Sequence, residues 1–182
     1  VHYREGLGLF NKSNPLYFLK CQGGHIMVRK QLNLEGAQIG FRNFEGREGQ
    51  YNRAGDRSFV VFLNEEFASE LEKEGWNVKW PKPSERDPEE DTRQPYIQIS
   101  ARYDNFPPKV YLISKSDRHD EPNVTVLAES EIGMLDWSEF EHIDLVIRPY
   151  EYTVNGKSGV KAYLKAGYFT LSNDGFASKY GM

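Results

Sequence analysis

Cysteine is almost missing from this 182-residue sequence: Cys21 stands alone, which excludes an intramolecular disulfide and fits a reducing cytoplasm. Long apolar runs are missing too. With a mean hydropathy of −0.68, no stretch has the length and apolar character of a membrane-spanning helix. Nor is there an excess of positive charge, since 23 Lys and Arg face 27 Asp and Glu for a net −4. A strongly basic chain would point to duplex DNA or an anionic membrane, and this one does not. Overall acidity leaves nucleic acid open, because binding depends on where the cations sit. The four histidines, His2, His25, His119 and His142, are spread apart from one another and from Cys21, so no zinc-site spacing arises. There is no P-loop, no G-x-S-x-G and no dinucleotide fingerprint. A nuclease could assemble a metal site from some of Asp104, Asp117, Asp120, Glu121, Asp136 and Asp144. Yet Asp117–Glu121 reads as a loop, where acidic side chains are solvated, and His119 beside Asp120 reads as a surface pair rather than a catalytic dyad. The expectation is a non-enzymatic protein with no cofactor and no metal.

What is present is aromatic: 14% of the chain, including 11 Tyr and 11 Phe. That supply suits a β-protein core and equally a stacking surface. The length suits one domain with a real core. Residues 1–27 carry no clean strand or helix period. Gly24-His25-Ile26-Met27 looks like a vector junction, so the stretch reads as an expression tag with the native start near Met27, or else as a natural flexible arm. The domain is expected over 28–171, with a short tail at 172–182.

Val28 to Asn43 reads as extended, with Ala37, Ile39 and Phe41 alternating against Gln38, Gly40 and Arg42. After a Gly- and charge-rich loop, Arg57 to Leu63 is a nearly continuous apolar strand, and the two strands suggest a long hairpin. One helix is clear. Asn64 is a good N-cap, Glu65 and Glu66 favour the positive helix end, Phe67 and Leu71 share a face, and Gly75 stops it. Trp76 to Trp80 resumes alternation. Pro81 to Pro95 is proline-rich, acidic and too polar to pack, so a mobile solvated loop is expected. Residues 64–92 hold four positive and ten negative charges, which leaves the remainder near neutral or basic. Strands are expected at Tyr96–Tyr103, Lys109–Ser114, Val124–Ala128 and Glu131–Leu135, with a helical turn at Trp137–Glu141. The strongest hairpin comes last, His142–Val154 and Gly159–Leu171 about an Asn155-Gly156-Lys157-Ser158 turn. The fold class is therefore mainly β with one clear helix: a small OB-like five-stranded Greek-key barrel with an extra hairpin or loop.

Burial decides the register of that last hairpin. A four-residue turn pairs Val154 with Gly159, and a two-residue turn at Asn155-Gly156 keeps the same parity. One face then carries Ile143, Leu145, Ile147, Val160, Ala162, Leu164 and Ala166, a core face. The other carries Arg148, Tyr150, Tyr152, Lys161, Tyr163 and Lys165. Cations interleaved with aromatics are what a single strand of nucleic acid asks for: Lys and Arg neutralise phosphates, and Tyr rings stack on bases at about 1–3 kcal/mol each. A solvated face of ordinary Tyr–Lys cross-strand pairs has the same composition. Arg42, Arg47, Tyr51, Arg53 and Arg57 form a second basic and aromatic cluster around the Phe44–Asp56 loop, although Glu45, Glu48 and Asp56 dilute it and a flexible solvated turn would look alike. The bare G-x-x-G of Gly46 to Gly49 is too short to carry meaning.

Several spaced blocks resemble one family. They are Phe41-Arg42-Asn43-Phe44 with Gly46, Phe59-Val60-Val61-Phe62-Leu63, and Glu74-Gly75-Trp76-Asn77-Val78-Lys79. Further on come Pro107-Pro108-Lys109-Val110-Tyr111-Leu112-Ile113, Asp144-Leu145-Val146-Ile147-Arg148-Pro149-Tyr150, Val154-Asn155-Gly156-Lys157 and Gly159 to Lys165. From Met27 to Leu171 the sequence is similar to a tailed-phage family of OB-fold single-stranded DNA-binding proteins, formerly a domain of unknown function. The resemblance implies an OB barrel that coats single-stranded DNA during phage replication or recombination in the host cytoplasm, without strong sequence preference. Phage or host replication and recombination proteins, and further copies of the chain, are the candidate protein partners. Many proteins of this kind end in an acidic recruiting tail; Ser178-Lys179-Tyr180-Gly181-Met182 is not acidic. The alternative function is a structural or host-interaction phage protein that binds other proteins through the barrel surface.

Overall fold

The computed structural model describes residues 31–82, 93–114 and 122–172. In chain order the elements are β1 (Leu32–Leu34), β2 (Gln38–Asn43), β3 (Arg57–Phe62), α1 (Glu65–Lys73), β4 (Val78–Lys79), β5 (Tyr96–Ala101), β6 (Lys109–Ser114), β7 (Asn123–Leu127), a 3-10 helix (Ile132–Asp136), β8 (Phe140–Val154) and β9 (Lys157–Leu171). The N-terminal arm, the centre of the acidic loop, Asp117 to Glu121 and the tail beyond Ser172 lie outside the described residues.

Among the described residues the protein is mainly β with one α-helix, and it is OB-like. Hydrogen-bonded neighbours run β1-β8-β9-β5-β3-β2. Along this path only β5 and β9 are parallel, meeting at Ile99↔Ala162 and Ser100↔Tyr163. Its two end strands, β1 and β2, are consecutive in the chain. Between them Gly36 takes φ +63°, and the Ala37 N–H donates to the Ile143 carbonyl at 2.8 Å. One bent strand thus leaves β8 and crosses to β3. The five strands β1/β2, β3, β5, β9 and β8 make a Greek-key ring that stays open at this bend. Additional strands decorate it. β4 pairs with β5, and the β6–β7 hairpin runs along β9 beyond the short β5 contact.

Phe59, Val61, Ile97, Ile99, Leu145, Ile147 and Leu164 fill the inner face. Phe44 stacks on Phe59 at 4.9 Å, and Phe169 meets Phe44 edge-on at 5.8 Å. Each such buried side chain contributes about 1.5–3 kcal/mol. The helix starts as its sequence dictates, with Asn64 Oδ1 accepting from the Phe67 N–H at 2.8 Å, and it adds Ala68 and Leu71 to the core. Gly75 ends it at φ +87°.

Three local expectations are corrected. Glu131–Leu135 is no strand: Ile132 and Leu135, three apart, are both buried by a 3-10 turn that starts from the Ala128 carbonyl. The helical turn expected at Trp137–Glu141 is this same turn placed earlier, and Phe140 already begins β8. Phe41 does not share the inward face of Ala37 and Ile39. The β2–β3 ladder slips between Gly40 and Asn43, and Phe41, at φ +45°, is 78% exposed. The Phe62 ring occupies the space a Cβ on Gly40 would need, and Arg42 reaches inward to the 3-10 helix, so the intervening residue is turned outward.

Candidate nucleic-acid interface

The β8–β9 hairpin turns on two residues, Asn155 at φ +51° and Gly156 at φ +75°, the left-handed pair of a type I′ turn. Val154 therefore faces Lys157, and the register continues through Tyr150↔Lys161 and Arg148↔Tyr163 to Ile147↔Leu164. Because the parity matches that of the longer turn, Arg148, Tyr150, Tyr152, Lys161 and Tyr163 do share the outer face. Their side chains touch. Tyr150 and Tyr163 meet at 5.4 Å and 60°, and Lys161 Nζ lies 5.3 Å from the Tyr152 ring. Tyr152 in turn lies over Gly159, its cross-strand partner, where any side chain would displace it. Tyr150 is 53% exposed, and Lys165 Nζ reaches out to Gln31 Oε1 at 2.7 Å.

A bulge then changes the face. Ile147 pairs with Leu164 but Val146 pairs with Ala166, so Lys165 is the extra residue. Beyond it the inward residues of β9 are Gly167 and Phe169. Ala166, expected in the core, is only half-buried, and Tyr168 emerges on the outer side instead. There it stacks on Tyr111 of β6 at 4.8 Å and 7°. Lys109, opposite Ala166, is exposed beside this pair. The segment after β5 adds two more groups: Arg102 lies over Tyr163 at 5.7 Å, and Phe106 lies under Arg148 at 4.6 Å.

The loop cluster divides by role. Arg42 donates from Nη1 to the carbonyls of Leu135 (2.9 Å) and Ser138 (2.7 Å) and lies over Phe140. Arg57 pairs with Glu129 at 2.9 Å and lies over the Tyr103 ring. Burial raises the Tyr103 pKa above its ordinary 10.0, against the pull of Arg57 and with the push of Glu129. Arg47 pairs with Glu45 and Asp136 and stacks on Trp137 at 4.9 Å. Tyr51, 89% exposed, and Arg53 project into solvent. Arg57 opens β3 beside Tyr103, one residue from the Arg102 that reaches Tyr163, so the 102–106 segment joins the two clusters.

Sequence reading missed Arg102, Phe106, Tyr111, Tyr168 and Trp137. Arg102 sits at the end of the strand expected over Tyr96–Tyr103, which stops at Ala101, and Phe106 lies in the irregular segment beyond it, where alternation says nothing. Tyr168 was hidden by the bulge, for which Gly167 inside a strand was the one available signal. Among the described residues no three His, Cys, Asp or Glu side chains are grouped to hold a metal ion, and no helix is long and apolar enough to cross a membrane. Asp136 is a buried clamp, Asp144 accepts from Gly36 and pairs with His142, and Asp104 lies 3.8 Å from Arg102.

The family model of the phage ssDNA-binding domain matches residues 23–182. The chain belongs to this family. Its partner class is accordingly single-stranded DNA. Among solved structures, the single-stranded DNA-binding protein from bacteriophage Enc34 in complex with ssDNA is 11% identical, over 79% of this chain and 88% of that one, with a TM-score of 0.48. The same phage's protein in another structure is 12% identical, over 84% and 90%, with a TM-score of 0.45. No curated protein matches the sequence.

Proposed function

We propose that the chain binds single-stranded DNA without sequence preference, in phage DNA replication or recombination in the host cytoplasm, and that it is not an enzyme. The observation that carries this reading is the outer face of β8 and β9, where Arg148, Lys161 and Lys165 interleave with Tyr150, Tyr152 and Tyr163 in a chain of this family. The cations neutralise phosphates and release counterions. The rings stack on bases, and every base has a face to stack. Neither contact reads a base edge, which is why no sequence preference follows. Arg47, Tyr51 and Arg53 extend the contact from the loop, while Arg42 and Arg57 support it through the 3-10 helix and Tyr103. Phage or host replication and recombination proteins, or further copies of the chain, would act on the coated strand.

The test is anisotropy titration of a labelled oligothymidine and of an equal-length duplex at two salt concentrations. The reading expects tight binding to the single strand, weaker binding to duplex, and affinity that falls as salt rises. Absence of binding at low salt would overturn it.

A further inference from the structure

We propose that Trp137, with Arg47 stacked against it, is a nucleobase-stacking subsite at the loop end of the interface. The proposal deepens the single-stranded DNA reading and rests on it. The indole is 74% exposed. Its backbone, by contrast, is pinned on every side. The Trp137 N–H donates to the Met134 carbonyl at 3.2 Å, closing the 3-10 helix. Arg42 holds the carbonyls of Leu135 and Ser138, which bracket Trp137 in the chain. The carboxylate of Asp136, only 1% exposed, accepts from the backbone N–H groups of Phe44 (2.7 Å) and Glu45 (3.1 Å) and from Arg47 Nη2 (3.3 Å). Two loops are thus clamped together around a ring that itself stays in solvent.

A large exposed aromatic on rigid support can take a partner at little ordering cost, because its backbone is already fixed before the partner arrives. Arg47 favours a base as that partner. Its guanidinium stands 4.9 Å from the ring centroid, steadied by Glu45 Oε2 at 3.3 Å, and occupies one side of the indole. A planar base on the other side completes an Arg–Trp–base stack. The ring borders an open cleft of about 430 Å³ that it shares with Met134 and Gly133. The nearby carboxylates do not forbid a nucleotide: Glu45 is paired with Arg47, Glu129 is paired with Arg57, and Glu131 accepts from the Ala128 N–H at 2.8 Å. With Arg47 and Arg57 set against the carboxylates of Glu45, Glu129, Glu131 and Asp136, the local charge is net negative, so this subsite grips the base rather than the phosphate. Its loss should lower affinity without changing the salt dependence, unlike the loss of Arg148 or Lys161.

The experiment uses the full chain and oligothymidines of about 4 to 16 nucleotides, the span of site sizes for one OB fold. Anisotropy and intrinsic tryptophan emission are read together for wild type, Trp137→Ala and Trp137→Phe. For the longer oligomers Trp137→Ala should bind about 5- to 150-fold more weakly with the same salt slope. The shortest oligomers, held by the β8–β9 face, should be unaffected, and Trp137→Phe should keep most of the affinity. DNA should quench the wild-type emission, and the quenching should be lost in Trp137→Phe, where Trp76 and Trp80 remain. Wild-type affinity of Trp137→Ala at every length, with quenching intact in Trp137→Phe, overturns the subsite and leaves the indole to a protein partner. Absence of single-strand binding by the wild type overturns this proposal together with the reading beneath it.

Discussion

Truncating Tyr150 and Tyr163 is the sharpest perturbation of the β8–β9 face. The two rings sit on adjacent strands, opposite Lys161 and Arg148 respectively, and touch at 5.4 Å. If each stacks on a base, each is worth about 1–3 kcal/mol of binding, so Tyr150→Ala and Tyr163→Ala should each raise Kd by about 5- to 150-fold. The same change removes one aromatic pair from the fold, which costs about 0.5–1.5 kcal/mol of stability on top of the apolar area each ring covers. That is small beside the roughly 5–15 kcal/mol of a typical domain, so the variants remain folded while binding is assayed. Because the rings support one another, the double variant should lose less than the sum of the single losses. Anisotropy with oligothymidine gives the binding side, and urea unfolding gives the stability side. Variants that remain folded and still bind with wild-type affinity would refute the assignment of this face.

Other outcomes follow from the same contacts. Arg148→Gln and Lys161→Gln should each flatten the dependence of log affinity on log salt by about 0.7, the value for one phosphate contact on a single strand, which a titration across salt concentrations measures. Asp136→Ala strips a charged acceptor from two backbone N–H groups and should destabilise by about 3 kcal/mol in urea unfolding. Tyr103→Phe should be neutral or stabilising by up to about 1 kcal/mol at pH 7, since the buried hydroxyl finds no hydrogen-bond partner among the described residues. It should also change the alkaline limb. The phenol is neutral in both states below its ordinary pKa of 10.0. Above that value the unfolded chain ionises first, so wild-type stability falls through the raised folded-state pKa, and the phenylalanine variant should lack this part of the fall in pH-dependent unfolding.

Much of this was legible in the residues. The helix was legible because Asn64, the first-turn carboxylates, the Phe67–Leu71 spacing and Gly75 all act within one local segment. The hairpin face was legible because alternation survives any even-length turn, so the error in turn length did no harm. What escaped depended on a neighbour far away in the chain. The bulge at Lys165 switches the inward side of β9 so that Gly167 and Phe169 enter the core, and Tyr168 then finds Tyr111 of β6. Phe41 turns outward where the β2–β3 ladder slips between Gly40 and Asn43. The loop arginines looked interchangeable in sequence. Only tertiary contacts separate Arg42 and Arg57, tied to the 3-10 helix and to Tyr103, from Arg53, which is exposed. Trp137 carried no periodic signal, and its exposure comes from the clamps on either side.

The proposed path of single-stranded DNA runs over the outer face of β8 and β9. Incorporating 3-fluorotyrosine and titrating oligothymidine, with resonances assigned by single Tyr→Phe variants, tests it ring by ring. The Tyr150 and Tyr163 fluorine signals should shift on binding while that of the half-buried Tyr103 stays in place. Saturable binding with both of these signals unmoved would contradict it.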